Sequence, residues 1–224
     1  MPGPEDGATT RQDRWARLRN SLWQSPRPHG EQPHERVVGP LELFYDLAVV
    51  VLIAQAARRL AGHLDGSGLG QFAVVFTLVW IAWANGSLHY ELHGREDARS
   101  RITFLVQILV LAVMGACIPA ASGARGAAFA VATAVLFAIL AGLWLRAGRG
   151  DRPEYRRSTR LYVAGTAAFA VLMACTALLP AGARVPVWGL LDAAYLTVFG
   201  AVRGRRRRAL RDDPGVRESA GPAR

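Results

Sequence analysis

Two acids lie four residues apart near the start of the first long apolar stretch of the chain. They are Glu42 and Asp46, and in a helix this spacing puts them on one face, one turn apart. An ionisable group inside a membrane span costs roughly 2.5–3.5 kcal/mol and usually serves a function. Glu42 suits a helix N-terminus, where the macrodipole favours an acid. Asp46 is deeper, so we expect it either to pair with a basic or polar partner or to line a polar path.

Asp192 is the acid nearest the middle of an apolar stretch, three residues before Tyr195. The arginines closest to it along the chain, Arg184 and Arg203, lie at the two ends of that stretch. An acid in this position is expected to face the interior of a helix bundle. It could handle protons or cations there, or it could be protonated and donate one hydrogen bond to a neighbouring helix.

Two amides, Asn85 and Gln107, occur in the second and third apolar stretches. At about 1.5 Å of rise per helical residue, both are predicted to lie at a depth similar to that of Asp46. If the first three helices pack together, the three polar groups could converge. The alternative is that each amide only hydrogen-bonds to an adjacent helix.

Other chemical signals are weak. His89 and His93 have a spacing that can chelate a metal on a helix, but no third ligand is evident. The chain has no phosphate-binding glycine loop, nucleophile elbow or cysteine–histidine cluster. The two cysteines, Cys117 and Cys175, fall in apolar runs, where cysteine is typically a small packing residue. We therefore expect no enzyme activity, metal or cofactor.

The elements that carry these residues are six apolar stretches separated by short polar connectors. Apolar residues make up 51% of the chain and charged residues 20%, and the charges are concentrated in the tails and connectors. Stretches near twenty residues long can cross a hydrocarbon core of about 30 Å. The sequence predicts an all-α integral membrane protein, a six-helix bundle over residues 37–203. The predicted spans are 40–57, 69–88, 102–121, 127–145, 161–179 and 185–202.

Arginine placement predicts the orientation. All 27 basic residues are arginine, and all but Arg58, Arg59, Arg125 and Arg184 lie in the two tails or in the second and fourth connectors. Because basic segments remain on the cytoplasmic side, both termini are expected in the cytoplasm. The tails, 1–36 and 204–224, are expected to lack regular structure.

A run of arginines directly follows the sixth stretch. Such a cluster is expected to attract anionic lipid headgroups rather than nucleic acid, since its position beside the membrane already accounts for the charge. The residues are Arg203, Arg205, Arg206, Arg207 and Arg208.

The segment Arg36–Val50 contains L-E-L-F-Y-D-L-A-V-V. It resembles the opening signature of the bacterial low temperature requirement A (LtrA) family, whose pattern is close to R-x(4)-L-E-L-F-F-D-L-V-F-V. The likeness extends from Arg36 to Gln107 and includes Trp80-Ile81-Ala82-Trp83. It implies a multi-pass protein of the bacterial inner membrane. Family members are commonly longer, so the chain resembles a short or half-length member, and this favours a homo-oligomer.

Together these patterns favour a transport or permeation protein for ions or protons. The alternative is a non-transport scaffold, or a component that responds to lipid state or stress through its packing faces and basic tails. The proposed polar path comprises Glu42, Asp46, Asn85, Gln107, Asp192 and Tyr195.

Overall fold

A computed structural model of the protein describes residues 39–93, 98–149 and 153–211, and the regular structure in these ranges is helical. Five of the helices are long and apolar enough within the described residues to cross a membrane, and the helix that carries the sixth predicted span, 185–202, is not one of them. The predicted all-α membrane fold is therefore confirmed at this level. The helices are α1 (Pro40–Ala61), α2 (Gly66–His93), α3 (Ala98–Cys117), α4 (Gly126–Ala147), α5 (Pro153–Thr176) and α6 (Ala181–Arg211).

Each predicted span coincides with one helix, but several helix ends differ from the prediction. The α3 helix stops at Cys117 and continues as a 3-10 turn, Ile118–Ala120, because Pro119 has no backbone N–H to donate. The α5 helix ends at Thr176, three residues before the end of the predicted span.

The C-terminal tail was expected to lack regular structure from residue 204, whereas α6 continues to Arg211. Arginine is a good helix former and the next proline is Pro214, so the helix continues through this segment in spite of Gly204. The predicted N-terminal tail, 1–36, and residues 212–224 lie outside the described part of the chain.

The turn between α1 and α2 is fixed by Asp65, which caps α2. One carboxylate oxygen of Asp65 accepts hydrogen bonds from the Gly68 backbone N–H and the Ser67 hydroxyl, each at 2.7 Å. These bonds, that from Gly68 first, hold the pKa of Asp65 below its usual range. A Cβ at position 68 would lie 2.0 Å from the carbonyl oxygen of His63, so this tight turn requires glycine.

The main helix contacts form two layers of three helices. One layer contains α1, α2 and α6, the other contains α3, α4 and α5, and α2 meets α4 at the centre. The α4 helix is the most buried of the five apolar helices and contributes fully buried Phe129, Leu136, Phe137 and Leu140. Many large apolar side chains elsewhere are more than half exposed, as expected for helix faces in contact with lipid tails; examples are Leu43, Leu47, Leu105, Leu109, Val171 and Leu190.

Arginines hold together the end of the bundle where α1, α3 and α5 terminate. Arg59 donates to the Pro119 carbonyl and to the Ser122 hydroxyl, and Arg125 donates to the Ala116 carbonyl at 2.7 Å. Arg184 donates to three carbonyls, those of Leu179, Gly123 and Ala177, at 3.0–3.3 Å. The last carbonyls of a helix have no partner within the helix, so these arginines satisfy acceptors that are otherwise left open.

Candidate functional site

The first polar contact joins α1 to α2. The α1 helix begins at Pro40, with Glu42 in its first turn. One turn deeper, Oδ1 of the half-buried Asp46 accepts a hydrogen bond from the indole N–H of Trp83 at 2.8 Å. Among the described residues Asp46 is thus partnered by an indole and not by the arginines at the start of α3. This contact is a structural pairing of the two helices.

The second polar contact is a buried cluster between α1, α2 and α3. Gln107 is fully buried, and its amide nitrogen donates to the Tyr90 hydroxyl at 2.8 Å. The Phe104 ring stacks on Tyr90 at 3.8 Å and meets Tyr45 edge-on at 5.9 Å. The amide thus belongs to a cluster with three aromatic rings, one from each of the three helices.

Gly86 of α2 provides the space for this cluster. A Cβ at this position would lie 2.9 Å from the Tyr45 hydroxyl and 3.7 Å from Oε1 of Gln107. Both of those atoms are buried, and neither has a hydrogen-bond partner within the described residues. The cluster therefore contains an unused donor and an unused acceptor beside the same glycine.

The third polar contact joins α2, α5 and α6 at the hydroxyl of Tyr195. The side-chain amide of Asn85 donates to this hydroxyl at 3.1 Å, and Thr166 lies 3.3 Å from it. Phe137 of α4 and Phe169 of α5 pack against the Tyr195 ring, with centroids 6.0 and 5.1 Å away. All four helices of this half of the bundle thus meet around one phenol.

Asp192 lies one helical turn before Tyr195 and is only 3% exposed. The prediction that it faces the bundle interior is confirmed. Neither of its carboxyl oxygens has a hydrogen-bond partner in the part of the chain that the structure describes. One turn earlier on α6, the polar atom of Trp188 does have a partner, because its indole N–H donates to the Thr176 hydroxyl at 2.8 Å. Asp192 is therefore a polar group without a partner on a helix face that is otherwise well packed.

The predicted polar residues do not form one cluster. Asn85 and Tyr195 are bonded to each other, whereas Gln107 belongs to the α1–α2–α3 cluster and Asp46 pairs with Trp83. The predicted convergence of Asp46, Asn85 and Gln107 is thus not found. Asn85 and Gly86 are consecutive, and consecutive helical residues point about 100° apart, so their two clusters lie on different faces of α2.

Sequence reasoning missed several participants in these contacts. It weighed the ionisable and amide groups but not Trp83, Tyr45, Tyr90 and Thr166, each of which takes part in a contact between helices or lies beside a buried amide. Tyr45 and Trp83 lie within the stretches that resemble the family, and this was a signal that could have pointed to them.

The remaining candidates are less informative. His89 is buried between the rings of Tyr90 and Trp144, at 5.5 and 5.3 Å. No group of three or more potential metal ligands occurs among the described residues. The side chains of the arginine run, Arg203 and Arg205–Arg208, lie outside the described part of the structure.

Comparisons with known proteins agree with the motif in α1. The family model described as bacterial low temperature requirement A protein (LtrA) matches residues 37–214. The match therefore extends well beyond Gln107, through all six helices. No curated protein and no solved structure was found to match the chain. The family model covers most of the chain, including the L-E-L-F-Y-D motif, whose Asp46 pairs α1 with α2. This chain therefore belongs to the bacterial low temperature requirement A family.

Proposed function

We propose that this protein conducts protons or small cations across the bacterial inner membrane and that Asp192 is the acid at the centre of the path. The observation that carries the proposal is the burial of both Asp192 carboxyl oxygens without a hydrogen-bond partner among the described residues. Leaving a polar group unpaired in an apolar interior costs about 1–3 kcal/mol, and a bare charge costs much more. A proton taken from the path would remove the cost of the charge, and a bound cation would also give the carboxylate oxygens a partner.

The hydrogen-bonded groups one turn away support the same proposal. Tyr195, Asn85 and Thr166 form a connected set of polar groups across three helices. Hydroxyl and amide groups both donate and accept hydrogen bonds, so they can hand a proton toward Asp192 or replace part of the water shell of an ion. The Asp46–Trp83 pair has a different role in this proposal, which is to hold α1 against α2.

The proposed topology has six spans, with both termini in the cytoplasm. The arginine-rich segments alternate along the chain as six crossings require, and positive loops stay in the cytoplasm. Of the four arginines on the other side, Arg59, Arg125 and Arg184 bind carbonyls or a hydroxyl at the ends of helices. Their local role explains why arginines occur there. Arg184 is held at the turn, so the apolar part of α6 can begin after it.

The experiment is a flux assay on purified protein in liposomes. We expect the wild type to dissipate an imposed ion or pH gradient. We expect this flux to be lost in Asp192→Asn, which keeps the size of the side chain but cannot carry a negative charge. The matched control is Asp46→Asn, which still offers an oxygen to the Trp83 indole and should retain most of the flux.

Two results would overturn the proposal. One is full flux in the Asp192→Asn variant. The other is a wild-type protein, shown to be folded and correctly inserted, that passes neither protons nor alkali cations. The second result would favour a non-transport membrane component that responds to lipid state.

A further inference from the structure

A groove of about 360 Å³ opens between the C-terminal end of α4 and the first turns of α5. Its basic lining consists of Arg149, Arg156 and Arg160, all three of them exposed. Its apolar lining includes Leu145 and Val163. Three positive charges therefore border one small volume that also has an apolar wall.

The packing of the two helices holds this arrangement together. A Cβ on Gly148 would lie 2.5 Å from a methyl carbon of Thr159. The backbone just after α4 therefore packs so closely against α5 that no side chain fits between them. This close approach brings Arg149, two residues after the end of α4, to the same groove as Arg156 and Arg160 of α5. The surrounding segment, 146–160, contains six arginines and two acids, so its net charge is positive.

The groove crosses the boundary between the apolar and polar parts of the bundle. The apolar span of α4 runs from Gly126 to Ala147, which places Leu145 inside it and Arg149 just beyond its end. Val163 likewise lies in the uncharged stretch of α5 that begins after Arg160. In a bilayer that covers these apolar stretches, one end of the groove would face the acyl chains and the other the headgroups.

The geometry points to a binding site for an anionic glycerophospholipid, and this site is separate from the proposed ion path. The guanidinium fork of arginine matches phosphate oxygens in paired hydrogen bonds, and an acyl chain can lie along Leu145 and Val163. A free phosphate ion would use the arginines but not the apolar wall. A zwitterionic lipid could also contact the apolar wall, but it has no net negative charge and would gain less binding energy from the three arginines.

The test compares lipids and variants on the purified full-length protein in a neutral detergent. Binding of phosphatidylglycerol, phosphatidylcholine or inorganic phosphate is followed by thermal stabilisation and by native mass spectrometry. The groove variant is Arg149→Gln/Arg156→Gln/Arg160→Gln. The matched control, Arg99→Gln/Arg101→Gln/Arg157→Gln, removes three exposed arginines that do not line the groove.

Phosphatidylglycerol is expected to bind the wild type and the control variant with similar affinity, and to bind the groove variant about ten-fold or more weakly, since each basic residue near a lipid surface contributes about 1 kcal/mol. If the groove variant does not fold, the corresponding triple lysine variant keeps the charge, loses the planar forks and should bind with reduced affinity.

Three results would overturn the inference. Equal losses in the groove and control variants would mean that only the overall charge matters. Equal binding of phosphatidylcholine would remove the role of the arginines. Stabilisation by inorganic phosphate equal to that by phosphatidylglycerol would make free phosphate the ligand.

Discussion

Replacing Asp192 with alanine is expected to stabilise the protein, although most core substitutions destabilise. In the native structure this side chain is 3% exposed and has no hydrogen-bond partner among the described residues. Its removal recovers the cost of an unpaired buried polar group, about 1–3 kcal/mol. Alanine is also the better helix former, by up to about 0.7 kcal/mol.

Lost packing opposes these gains. The carboxyl group contributes three heavy atoms, and each of their contacts is worth only about 0.1–0.2 kcal/mol. The net expectation is a rise of about 1 kcal/mol in the free energy of unfolding, because the unpaired group outweighs the lost contacts. This is the direction expected when a buried acid is kept for function at the expense of stability.

Asp46→Ala provides the matched comparison within the same bundle. Asp46 accepts a hydrogen bond from the Trp83 indole at 2.8 Å, and its removal leaves that donor without a partner. We expect a loss of about 1–3 kcal/mol. The two intramembrane acids should therefore change the stability with opposite signs when they receive the same substitution.

The assay is equilibrium unfolding of both variants and the wild type in mixed micelles, with helix content followed while a denaturing detergent is added. The reasoning is refuted if Asp192→Ala lowers the free energy of unfolding by several kcal/mol. Breaking a buried ion pair costs about 3–5 kcal/mol, so a loss of that size would reveal a structural partner for Asp192.

Two further predictions concern α2. Gly86→Ala should lower the free energy of unfolding by about 1–3 kcal/mol, as overpacking does, because the added Cβ would lie 2.9 Å from the Tyr45 hydroxyl. Adding Tyr45→Phe removes that hydroxyl and should restore most of the lost stability. A double-mutant cycle that shows no coupling between the two positions would contradict this explanation. Asp65→Ala should lower the melting temperature at neutral pH. The pKa of Asp65 is lowered in the folded state, so its stabilisation is present above the unfolded value and is lost as the pH falls through the lowered one. The difference from wild type should therefore disappear in acid, and a gap that persists at pH 2 would argue against the cap.

Much of the fold could be predicted because hydropathy and segment length are properties of a local stretch of chain. A run of about twenty apolar residues can span a bilayer whatever its neighbours are. Each predicted span therefore coincides with a helix, and five of the helices are long and apolar enough to cross a membrane. The inward orientation of Asp192 could be predicted for the same reason, since an acid in the middle of such a run avoids lipid. The L-E-L-F-Y-D motif likewise identified the family from a few adjacent residues.

Only the tertiary structure decided which polar groups meet. Asp46, Asn85 and Gln107 were predicted at similar depth, yet they pair with Trp83, Tyr195 and Tyr90 respectively. Depth follows from position along a helix, whereas the choice of neighbour depends on how each helix is rotated and which helices surround it. Trp83 and Asn85, only two residues apart on α2, bond to different helices, α1 and α6. The rotation of each helix is set by packing of the whole bundle, so no single stretch of sequence contains it.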